Sequence, residues 1–244
     1  MSTEGQLLAG LALVPTCSAM DILKDDSPER LVMRQVRPFA GVTRPVAGRA
    51  RTLRFLPLRS DVPISPNGKV NFDLIDSIQP GDFMVVDAPD SHGGSVLGDM
   101  LALRAKQNGA VAVATDGCMR DIQGMEEVGL PVFSRSTWPI PSAATLIPWE
   151  SDVPIQCGGA LVLPGDYILA DRDAVLVLPE ALARKVSGSI TAVLAEEAFC
   201  RRLLERGHAL RHAFPMPKPL RPLFEQFLVD GILPDAAAVI RASS

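Results

Sequence analysis

The chain has 244 residues, of which 47% are apolar and 21% are charged, and its formal net charge is −4. This composition is typical of a globular protein with a substantial core, and the lack of a Lys/Arg tract and of an apolar run of about 20 residues argues against nucleic-acid and membrane partners. The four cysteines are widely spaced and form no CxxC motif, which excludes a zinc ribbon and favours a cytoplasmic protein with reduced thiols.

The beginning of the chain predicts two helices followed by a strand. Residues 6–14 are apolar but lack a preceding basic segment, so they indicate an amphipathic or buried helix rather than a signal peptide. Thr16 or Ser18 is expected to cap a second short helix that ends before Pro28. Residues 46–55 alternate weakly, as a strand does, and their arginines either face solvent or line a polar pocket.

A repeated turn precedes two of the predicted core strands. Residues 57–68 predict a loop and 71–78 a short helix, and the first Pro-Gly-Asp turn follows at 80–82. The same tripeptide returns at 164–166, and each copy leads into an apolar run that ends in Asp. Pro fixes φ and Gly supplies a left-handed position, so we interpret this as one turn used twice. The flanking sequences do not match, which disfavours a duplicated half.

In the middle of the chain, twenty residues separate Asp99 from the pair Arg120-Asp121. A predicted helix over 100–108, closed by a glycine, and a predicted strand over 110–115 fill this interval. A ten-residue helix rises about 15 Å and a five-residue strand about 17 Å, so the two lengths nearly cancel if they run antiparallel. We therefore expect Asp99 and Arg120-Asp121 at the carboxyl end of the strands, where open α/β folds usually bind ligands.

Asp99, at the start of the predicted helix, has two interpretations. It is either an N-cap that accepts hydrogen bonds from the first-turn amides, or it faces a metal-bound water. In the second case the amides of Met100, Leu101 and Ala102 form an anion site for a substrate carboxylate.

The Arg120-Asp121 pair follows a predicted strand through a turn at Asp116-Gly117, where the backbone can approach a ligand closely. Such a pair is commonly a surface ion pair. In this position, however, Asp121 is a suitable ligand for Mg²⁺, which keeps most of its waters. Arg120 can stabilise an enolate oxygen because its guanidinium stays protonated. A metal, an arginine and helix amides together suit a small 2-oxo acid.

Other candidates in this stretch have weaker support. His92, in a Gly-bearing loop, is either a proton carrier or a solvated loop residue. Gly93-Gly94 and Gly98 do not form a GxGxxG fingerprint, which argues against dinucleotide binding. Cys118 has no histidine near it in sequence, so a packed thiol is favoured over a nucleophile.

The second half of the chain predicts short strands and then helices. A strand over 130–133 is followed by a long proline-marked loop. Four closely spaced strands then indicate antiparallel structure. They are predicted at 154–157, 160–163, 167–170 and 174–178. Two helices follow, at 180–186 and 191–206, with Gly207 as the stop. From residue 208 the chain is proline-rich, and we expect an arm that packs on the core or on a neighbouring subunit, with short helices at 224–228 and 236–240.

These residues resemble the RraA-like family, which includes the 4-hydroxy-4-methyl-2-oxoglutarate / 4-carboxy-4-hydroxy-2-oxoadipate aldolases and the regulators of ribonuclease E activity. The resemblance covers roughly residues 14–207. The family's aldolase signature is an Asp, twenty residues and Arg-Asp, which this sequence meets without a gap. The other matching motifs are 46–50, 80–82, Gly98-Asp99, 129–133, 157–159, 164–166 and 171–179.

The resemblance implies an α/β protein with a three-layer β/β/α swivelling-domain fold, which we assign to residues 1–207. The C-terminal helical arm over 208–244 is predicted from its composition. The resemblance also implies homotrimers or homohexamers with a divalent-metal site at the subunit boundary. Asp121 resembles the metal-binding aspartate, Arg120 the enolate-stabilising arginine, and Asp99 the residue that orients a metal-bound water. Gly98, Met100, Leu101 and Arg120 are the expected substrate contacts.

The resemblance further implies that a glutamate from the late helix of a neighbouring subunit completes the aldolase site. Glu197 fits this position best, because Arg201, Leu204 and Gly207 follow it at the family's spacing. Glu196 is the alternative, and a solvated helix face is the other interpretation of Glu197.

Several positions depart from the family's pattern. Ser136 stands where many members have Gly after Arg135, and Ala174 replaces a usual Gly. Residues 92–96 have a composition of their own and are expected to shape the substrate pocket. The family also contains members without an aldolase role, so membership alone does not assign the reaction.

The leading hypothesis is therefore a Mg²⁺- or Mn²⁺-dependent lyase for a small 2-oxo acid. It would act by retro-aldol cleavage of a 4-hydroxy-2-oxo acid or by decarboxylation of an oxaloacetate-like acid, in both cases through a pyruvate enolate. The alternative is a non-catalytic regulatory protein that binds a protein partner. A third hypothesis is another metal-dependent reaction on a related hydroxy or oxo acid.

Overall fold

The computed structural model describes residues 3–59, 61, 69–88 and 94–243. The predicted loop at 57–68 therefore lies largely outside the described residues, as does His92 with most of its loop. The chain divides into two compact units, Met1–Ser187 and Gly188–Ser244.

Within the described residues the helices are α1 (Thr3–Leu11), α2 (Thr16–Ile22), α3 (Val70–Ser77), α4 (Asp99–Asn108), α5 (Ile122–Val128), α6 (Glu180–Glu205), α7 (Leu210–Ala213), α8 (Arg221–Asp230) and α9 (Ala236–Ser243). The strands are β1 (Arg37–Ala40), β2 (Val46–Pro57), β3 (Asp82–Asp87), β4 (Ser95–Leu97), β5 (Ala112–Thr115), β6 (Cys118–Met119), β7 (Val132–Ser134), β8 (Ser136–Thr137), β9 (Leu146–Ser151), β10 (Ile155–Cys157), β11 (Ala160–Val162), β12 (Tyr167–Ala170) and β13 (Val175–Leu178).

The first unit is built on one large sheet with the strand order β1-β7-β5-β3-β2-β12-β13. Strands β7, β5, β3 and β2 are parallel neighbours, whereas β12, β13 and β9 join antiparallel. The predicted antiparallel pairing of the four late strands is confirmed, because β10 pairs with β11 and β12 with β13.

Both faces of this sheet are covered, as the alternation along β3 shows. Met84 and Val86 belong to one buried cluster, which also contains residues of α3, α4 and α5. Phe83 and Val85 belong to a second cluster, which contains residues of β10 and β11. A parallel strand buried on both faces has a nearly continuous apolar sequence, as β3 does. The sheet thus has a helical layer on one side and a β layer on the other, which confirms the expected three-layer β/β/α fold.

The Pro-Gly-Asp turns are two copies of the same local structure. Gly81 has φ +96 and Gly165 has φ +85, conformations that glycine adopts without strain. In each turn an Asp side chain accepts a hydrogen bond from the amide three residues earlier, at 2.9 Å for Asp82 and 2.8 Å for Asp166. Both turns form backbone hydrogen bonds with β2. The Arg49 amide donates to the carbonyl of Gly81, and the Ala50 amide donates to the carbonyl of Asp166.

Two local predictions in the first unit are wrong. Neither Thr16 nor Ser18 caps α2; Pro15 occupies the N-cap position without a side-chain bond. The Thr16 hydroxyl and amide instead donate to Asp171 at 2.6 and 2.8 Å, because a buried carboxylate competes for these donors. The predicted loop after residue 133 contains β8 and β9, and β9 forms a sheet edge, where Pro148 is tolerated.

The late helices also differ from the prediction. Residues 180–205 form one continuous helix of 26 residues, α6, instead of two. A Cβ on Gly188, inside this helix, would meet nothing within 4 Å. Glycine lowers helix propensity by only about 1 kcal/mol, and the surrounding residues favour the helix strongly enough to continue through it.

The second unit forms a small helical core of its own, which confirms the predicted C-terminal helical region. Its buried side chains are Phe199, Cys200, Leu203, Ala213, Leu220, Phe224 and Val239. Residues beyond 207 thus pack on the second half of α6, and the boundary between the two units, after Ser187, falls within this helix. The expected domain boundary at 207/208 stays a prediction.

Among the described residues, no single helix is long and apolar enough to cross a bilayer. Only α1 and α2 taken together, with a bend of 109° between them, reach that length and composition.

Candidate active site

Asp99 and Arg120-Asp121 meet at the carboxyl end of a small parallel sheet. Strand β4 pairs with β6, with Leu97 opposite Met119, and β6 pairs with β8. Gly98-Asp99 follows β4 directly, and Arg120-Asp121 follows β6 directly. The Arg120 amide continues the ladder by donating to the Leu97 carbonyl at 3.2 Å. Neighbouring parallel strands end at the same edge, so the three side chains are brought to one place.

Two glycines provide the space for this group of side chains. A Cβ on Gly98 would lie 2.4 Å from Oδ2 of Asp121 and 3.2 Å from Nε of Arg120. A Cβ on Gly124, in α5, would lie 2.6 Å from Oδ2 of Asp99. Gly98 is extended, with φ −127 and ψ −177, so it is the close approach of the carboxylate, and not the backbone conformation, that requires glycine here.

Asp121 stands in a special backbone position. Its φ of +59 places it in the left-handed region, at the N-cap of α5, and its side chain forms no capping bond. Asp tolerates this region better than most residues, and such conformations are frequent at functional sites. The side chain instead contacts Arg120, with 3.2 Å between Nε and Oδ2. Both side chains are about 40% exposed (39% and 41%), so this ion pair contributes little to stability and stays accessible to a ligand.

The first turn of α4 differs in detail from the prediction. Gly98 is the N-cap, and Asp99 is the first helical residue, whose Oδ1 accepts a hydrogen bond from the Met100 amide at 2.8 Å. The Ala102 amide donates to the Gly98 carbonyl at 3.1 Å. The expected role of Ala102 in an anion site is therefore wrong, because the helix uses its amide in the first i→i−4 bond. The Leu101 amide precedes that bond and remains a donor for a ligand.

A cleft of about 370 Å³ opens over these residues. Gly98, Asp99, Met100, Leu101, Arg120 and Asp121 all line it. The remaining lining comes from Leu58, which follows β2, from α3, from β4 and from the segment 141–148. The cleft thus joins the predicted substrate contacts to the predicted metal ligand.

The residues at this edge fit a divalent cation that keeps several waters. Asp121 and Asp99 offer carboxylate oxygens, which Mg²⁺ and Mn²⁺ prefer. The glycine at position 98 leaves room beside Oδ2 of Asp121 that a Cβ would fill. Among the described residues, no group of three or more His, Cys, Asp and Glu side chains is placed to hold a metal ion.

The late-helix glutamates lie in the second compact unit. Glu196 forms an ion pair with Arg221, at 3.1 Å between Oε2 and the guanidinium. Glu197 is the next residue of α6. Its contribution to a site on a neighbouring subunit stays a prediction, and so does the assignment of the roles of Asp99, Arg120 and Asp121.

The arginines of β2 belong to ion pairs instead of the cleft. Arg51 contacts Asp82 at 3.1 Å and Asp152 at 2.9 Å. Arg54 contacts Glu150 at 3.4 Å and Asp87 at 3.9 Å. These side chains are partly exposed (21% and 33%), and neither lines the cleft.

A second group of acids, which was not predicted from the sequence, lies at the carboxyl ends of β3 and β5. Asp116 is buried and accepts hydrogen bonds from the amides of Ala88 and Gly158, both at 3.0 Å. Burial, and then the charge of Asp116, raise the pKa of Asp87 to about 6. Oδ1 of Asp87 is buried without a hydrogen-bond partner among the described residues. The available signal was an Asp directly after each of two apolar strands.

Comparisons with known proteins agree on the family. The RraA-like family model, described as Aldolase/RraA, matches residues 16–177. An Albidiferax ferrireducens protein with the provisional name 4-hydroxy-4-methyl-2-oxoglutarate aldolase is 30% identical over 164 residues, which are 66% of this chain and 93% of that protein. A Halalkalibacterium halodurans protein with the same provisional name is 36% identical over 107 residues, so the chain spans only 50% of that relative's length and the match covers 44% of its own.

A solved structure gives the same result for the fold. The structure of Streptomyces coelicolor RraAS2, an unusual member of the RNase ES inhibitor RraA protein family, is 32% identical and superposes with a TM-score of 0.72. The superposition covers 81% of this chain and 96% of that one. From the family match and this superposition, the chain belongs to the RraA-like (Aldolase/RraA) family.

Proposed function

We propose that this chain is a divalent-metal-dependent lyase that cleaves a small 2-oxo acid through a pyruvate enolate. The observation that carries the proposal is the meeting of Asp99, Arg120 and Asp121 next to Gly98 in the lining of one cleft. The names of the aldolase relatives support it. The substrate is a 4-hydroxy-2-oxo acid, cleaved between C3 and C4, or an oxaloacetate-like acid that loses CO₂.

Asp121 is the residue that would hold Mg²⁺ or Mn²⁺, with Asp99 beside it. When bound, the cation polarises the 2-oxo group and so lowers the free energy of the enolate. Asp121 has a left-handed backbone conformation. Its carboxylate does not cap the helix that follows and is therefore available to a ligand.

The chain's own groups perform the remaining steps. The Leu101 amide, at the positive end of α4, binds the carboxylate of the 2-oxo acid. Arg120 stays protonated and balances the negative charge that develops on the enolate oxygen. Asp99 accepts, through a water, the proton that leaves the C4 hydroxyl when the C3–C4 bond breaks. The electron pair of that bond passes to C3, which is then protonated to give pyruvate.

Coupled detection of pyruvate tests this function. With Mg²⁺ or Mn²⁺ present, the protein should release pyruvate from 4-hydroxy-2-oxo acids or oxaloacetate, and chelation should stop the release. Arg120→Ala and Asp121→Asn should each lower kcat/KM by at least about a hundredfold. Arg104→Ala is the matched control, since it removes an exposed arginine of α4 that pairs with Asp76 at 2.6 Å. Full activity in Arg120→Ala, or activity that survives chelation, would refute the proposal.

A second candidate function is a regulatory protein that acts through its surface. The likeness to RraAS2, whose family is described as RNase ES inhibitors, favours it. This function predicts no turnover of any 2-oxo acid and saturable binding of a protein partner. Quantitative pull-down with the wild type and with Asp121→Asn separates the two, because a surface regulator should bind its partner equally well in both forms.

A further inference from the structure

A second cavity, of about 320 Å³, opens at the carboxyl end of the large sheet. Asp116 follows β5 directly and Arg135 follows β7 directly, and these two strands are parallel neighbours. The ends of parallel strands are the usual location of ligands in open α/β sheets. The other lining residues come from the segment before β1 and from the β10–β11 hairpin: Arg34, Gln35, Gln156, Gly158 and Gly159.

The guanidinium of Arg34 lies against the turn of the β10–β11 hairpin. Gly158 and Gly159 both have a left-handed backbone, with φ +55 and +84, and the Arg34 amide donates to the Gly158 carbonyl at 2.8 Å. A Cβ on Gly159 would lie 2.8 Å from Nη2 of Arg34 and 3.3 Å from its Nε. The two glycines thus let the guanidinium pack on the turn, in the wall of the cavity.

A buried aspartate joins the walls of the cavity. Asp116 accepts hydrogen bonds from the amides of Ala88 and Gly158, both at 3.0 Å, so it connects the end of β5 to the hairpin turn. Burial raises the pKa of Asp116, and the charge of Arg135 acts against this rise, which shows that the second guanidinium lies near the carboxylate. The Arg135 amide also donates to the Gly117 carbonyl at 3.3 Å. Two arginines therefore line one cavity whose walls are connected by hydrogen bonds.

The lining of the cavity suits an oxyanion that is part of a larger polar molecule. The guanidinium groups of Arg34 and Arg135 present planar sets of N–H donors that match a carboxylate or a phosphate group. The side-chain amides of Gln35 and Gln156 offer both donors and acceptors, which a hydroxyl group can use. The cavity is large enough for such a molecule, since its volume lies within the range of small-molecule sites.

We propose that this cavity is a second binding site, for a small hydroxylated acid whose oxyanion lies between Arg34 and Arg135. The oxyanion is a carboxylate or a phosphate group, because the arginine side chains recognise both by the same geometry. The inference does not depend on the reaction proposed for the cleft, since the two cavities share no described lining residue.

Equilibrium dialysis of the full chain tests the site with two radiolabelled probes, 3-hydroxypropanoate and glycerol 3-phosphate. Neither probe has the 2-oxo group that we propose the cleft binds, and EDTA is present throughout. We expect saturable binding of one molecule per chain with a dissociation constant below about 10 mM for at least one probe. The tighter probe identifies the oxyanion as a carboxylate or a phosphate. Glycerol, the neutral comparison, should bind at least about tenfold more weakly.

Substitution of the arginines tests whether they hold the oxyanion. Arg34→Ala and Arg135→Ala should each weaken binding of the tighter probe by at least about tenfold, because each removes a hydrogen bond to a charged group. Arg34→Lys should restore only part of the affinity, since an ammonium group lacks the planar set of donors. Arg30→Ala is the matched control: it removes another exposed arginine from the same part of the chain and should bind as the wild type does.

The outcomes separate this site from the cleft and from a general attraction of anions. Asp121→Asn changes a residue that lines only the cleft and should keep wild-type binding, so a loss of binding there would place the probe in the cleft and overturn the inference. Wild-type affinity in both Arg34→Ala and Arg135→Ala would also overturn it. Binding of glycerol as tight as that of the acids, or no saturable binding of either acid, would do the same.

Discussion

Gly98 shows how a single missing side chain shapes the candidate site. Its backbone is extended, as any residue's can be, but the Asp121 carboxylate occupies the position where a Cβ would be. Because the conflict involves a side chain of the site and not the backbone, its effect should appear in function more than in stability.

Gly98→Ala should therefore lower pyruvate release by at least about a hundredfold, because the added Cβ would lie 2.4 Å from Oδ2 of Asp121 and 3.2 Å from Nε of Arg120 and so displaces the carboxylate from its position. The free energy of unfolding should change by less than about 1 kcal/mol. Both are measured on the same preparation, by coupled assay and by urea denaturation. Gly188→Ala is the control: it adds a methyl group in open space inside α6 and should raise stability by about 0.5–1 kcal/mol without affecting turnover. Unchanged activity in Gly98→Ala would show that the site does not require glycine at position 98.

Asp87 links the pH of the solution to the stability of the first unit. Its pKa rises from 3.8 to about 6, chiefly through burial. The folded state therefore holds more protons than the unfolded state between these values. The contribution of Asp87 to the free energy of unfolding is therefore largest below about pH 4, falls as the pH rises from about 4 to about 6, and is constant above that.

Asp87→Asn removes this titration and should flatten the pH dependence of the free energy of unfolding between pH 4 and 6. At pH 8 the variant should be more stable than the wild type by about 2 kcal/mol, because the buried carboxylate no longer has to ionise. Urea denaturation at several pH values measures both effects. Asp76→Asn, at an exposed position on α3, should keep the wild-type profile. An equally steep profile in Asp87→Asn would contradict the assignment.

At the scale of elements, short strands position the candidate site. β4 and β6 contain only three and two residues, yet their parallel register aligns Gly98-Asp99 with Arg120-Asp121. The similar lengths of the predicted helix and strand indicated that these residues share one end of the unit. The pairing of β4 with β6 brings them into contact.

A buried carboxylate joins α2 to the turn between β12 and β13. Asp171 accepts hydrogen bonds from the amide and hydroxyl of Thr16 and from the amides of Asp173 and Ala174. Asp171→Ala leaves these donors unsatisfied and should lower the free energy of unfolding by about 3 kcal/mol, whereas Thr16→Val should lower it by about 1 kcal/mol. A double-mutant cycle by urea denaturation should give a coupling energy of about 1 kcal/mol. Strict additivity would show that the two residues act independently.

At the scale of the whole molecule, the family relationship raises the question of assembly. The first unit carries Asp99, Arg120 and Asp121, and the second carries Glu197. We proposed from the resemblance that Glu197 of one subunit completes the site of another in a homotrimer or homohexamer. This arrangement makes a prediction that is independent of substrate identity.

Mixing the subunits of two variants tests whether each site combines residues of different subunits. Asp121→Asn and Glu197→Ala should each be inactive alone. If each site combines the two residues from different subunits, random equimolar reassociation should restore about a quarter of the wild-type activity. Light scattering gives the oligomeric state of the same samples. Persistent inactivity of the mixture, with exchange of subunits demonstrated, would place both residues in one chain or exclude Glu197 from the site.

Much of the fold was predictable because its signals are local. The Pro-Gly-Asp turns, the glycine that ends α4 and the closely spaced late strands follow from backbone sterics and the period of apolar residues. The three-layer architecture was accessible only through the family resemblance. The interruption of α6 at Gly188 was predicted wrongly, since propensity is a weak signal against a long favourable helix.

By itself, the sequence determined which chemical groups lie at the ends of the central elements and that Asp99 stands twenty residues before Arg120-Asp121. These properties depend on residue identity and on spacing along the chain. Only the tertiary structure decided that β4 pairs with β6 and that Gly98 and Gly124 leave room for the carboxylates of Asp121 and Asp99. Such contacts join residues far apart in sequence, and their partners are selected by packing of the whole first unit rather than by any local signal.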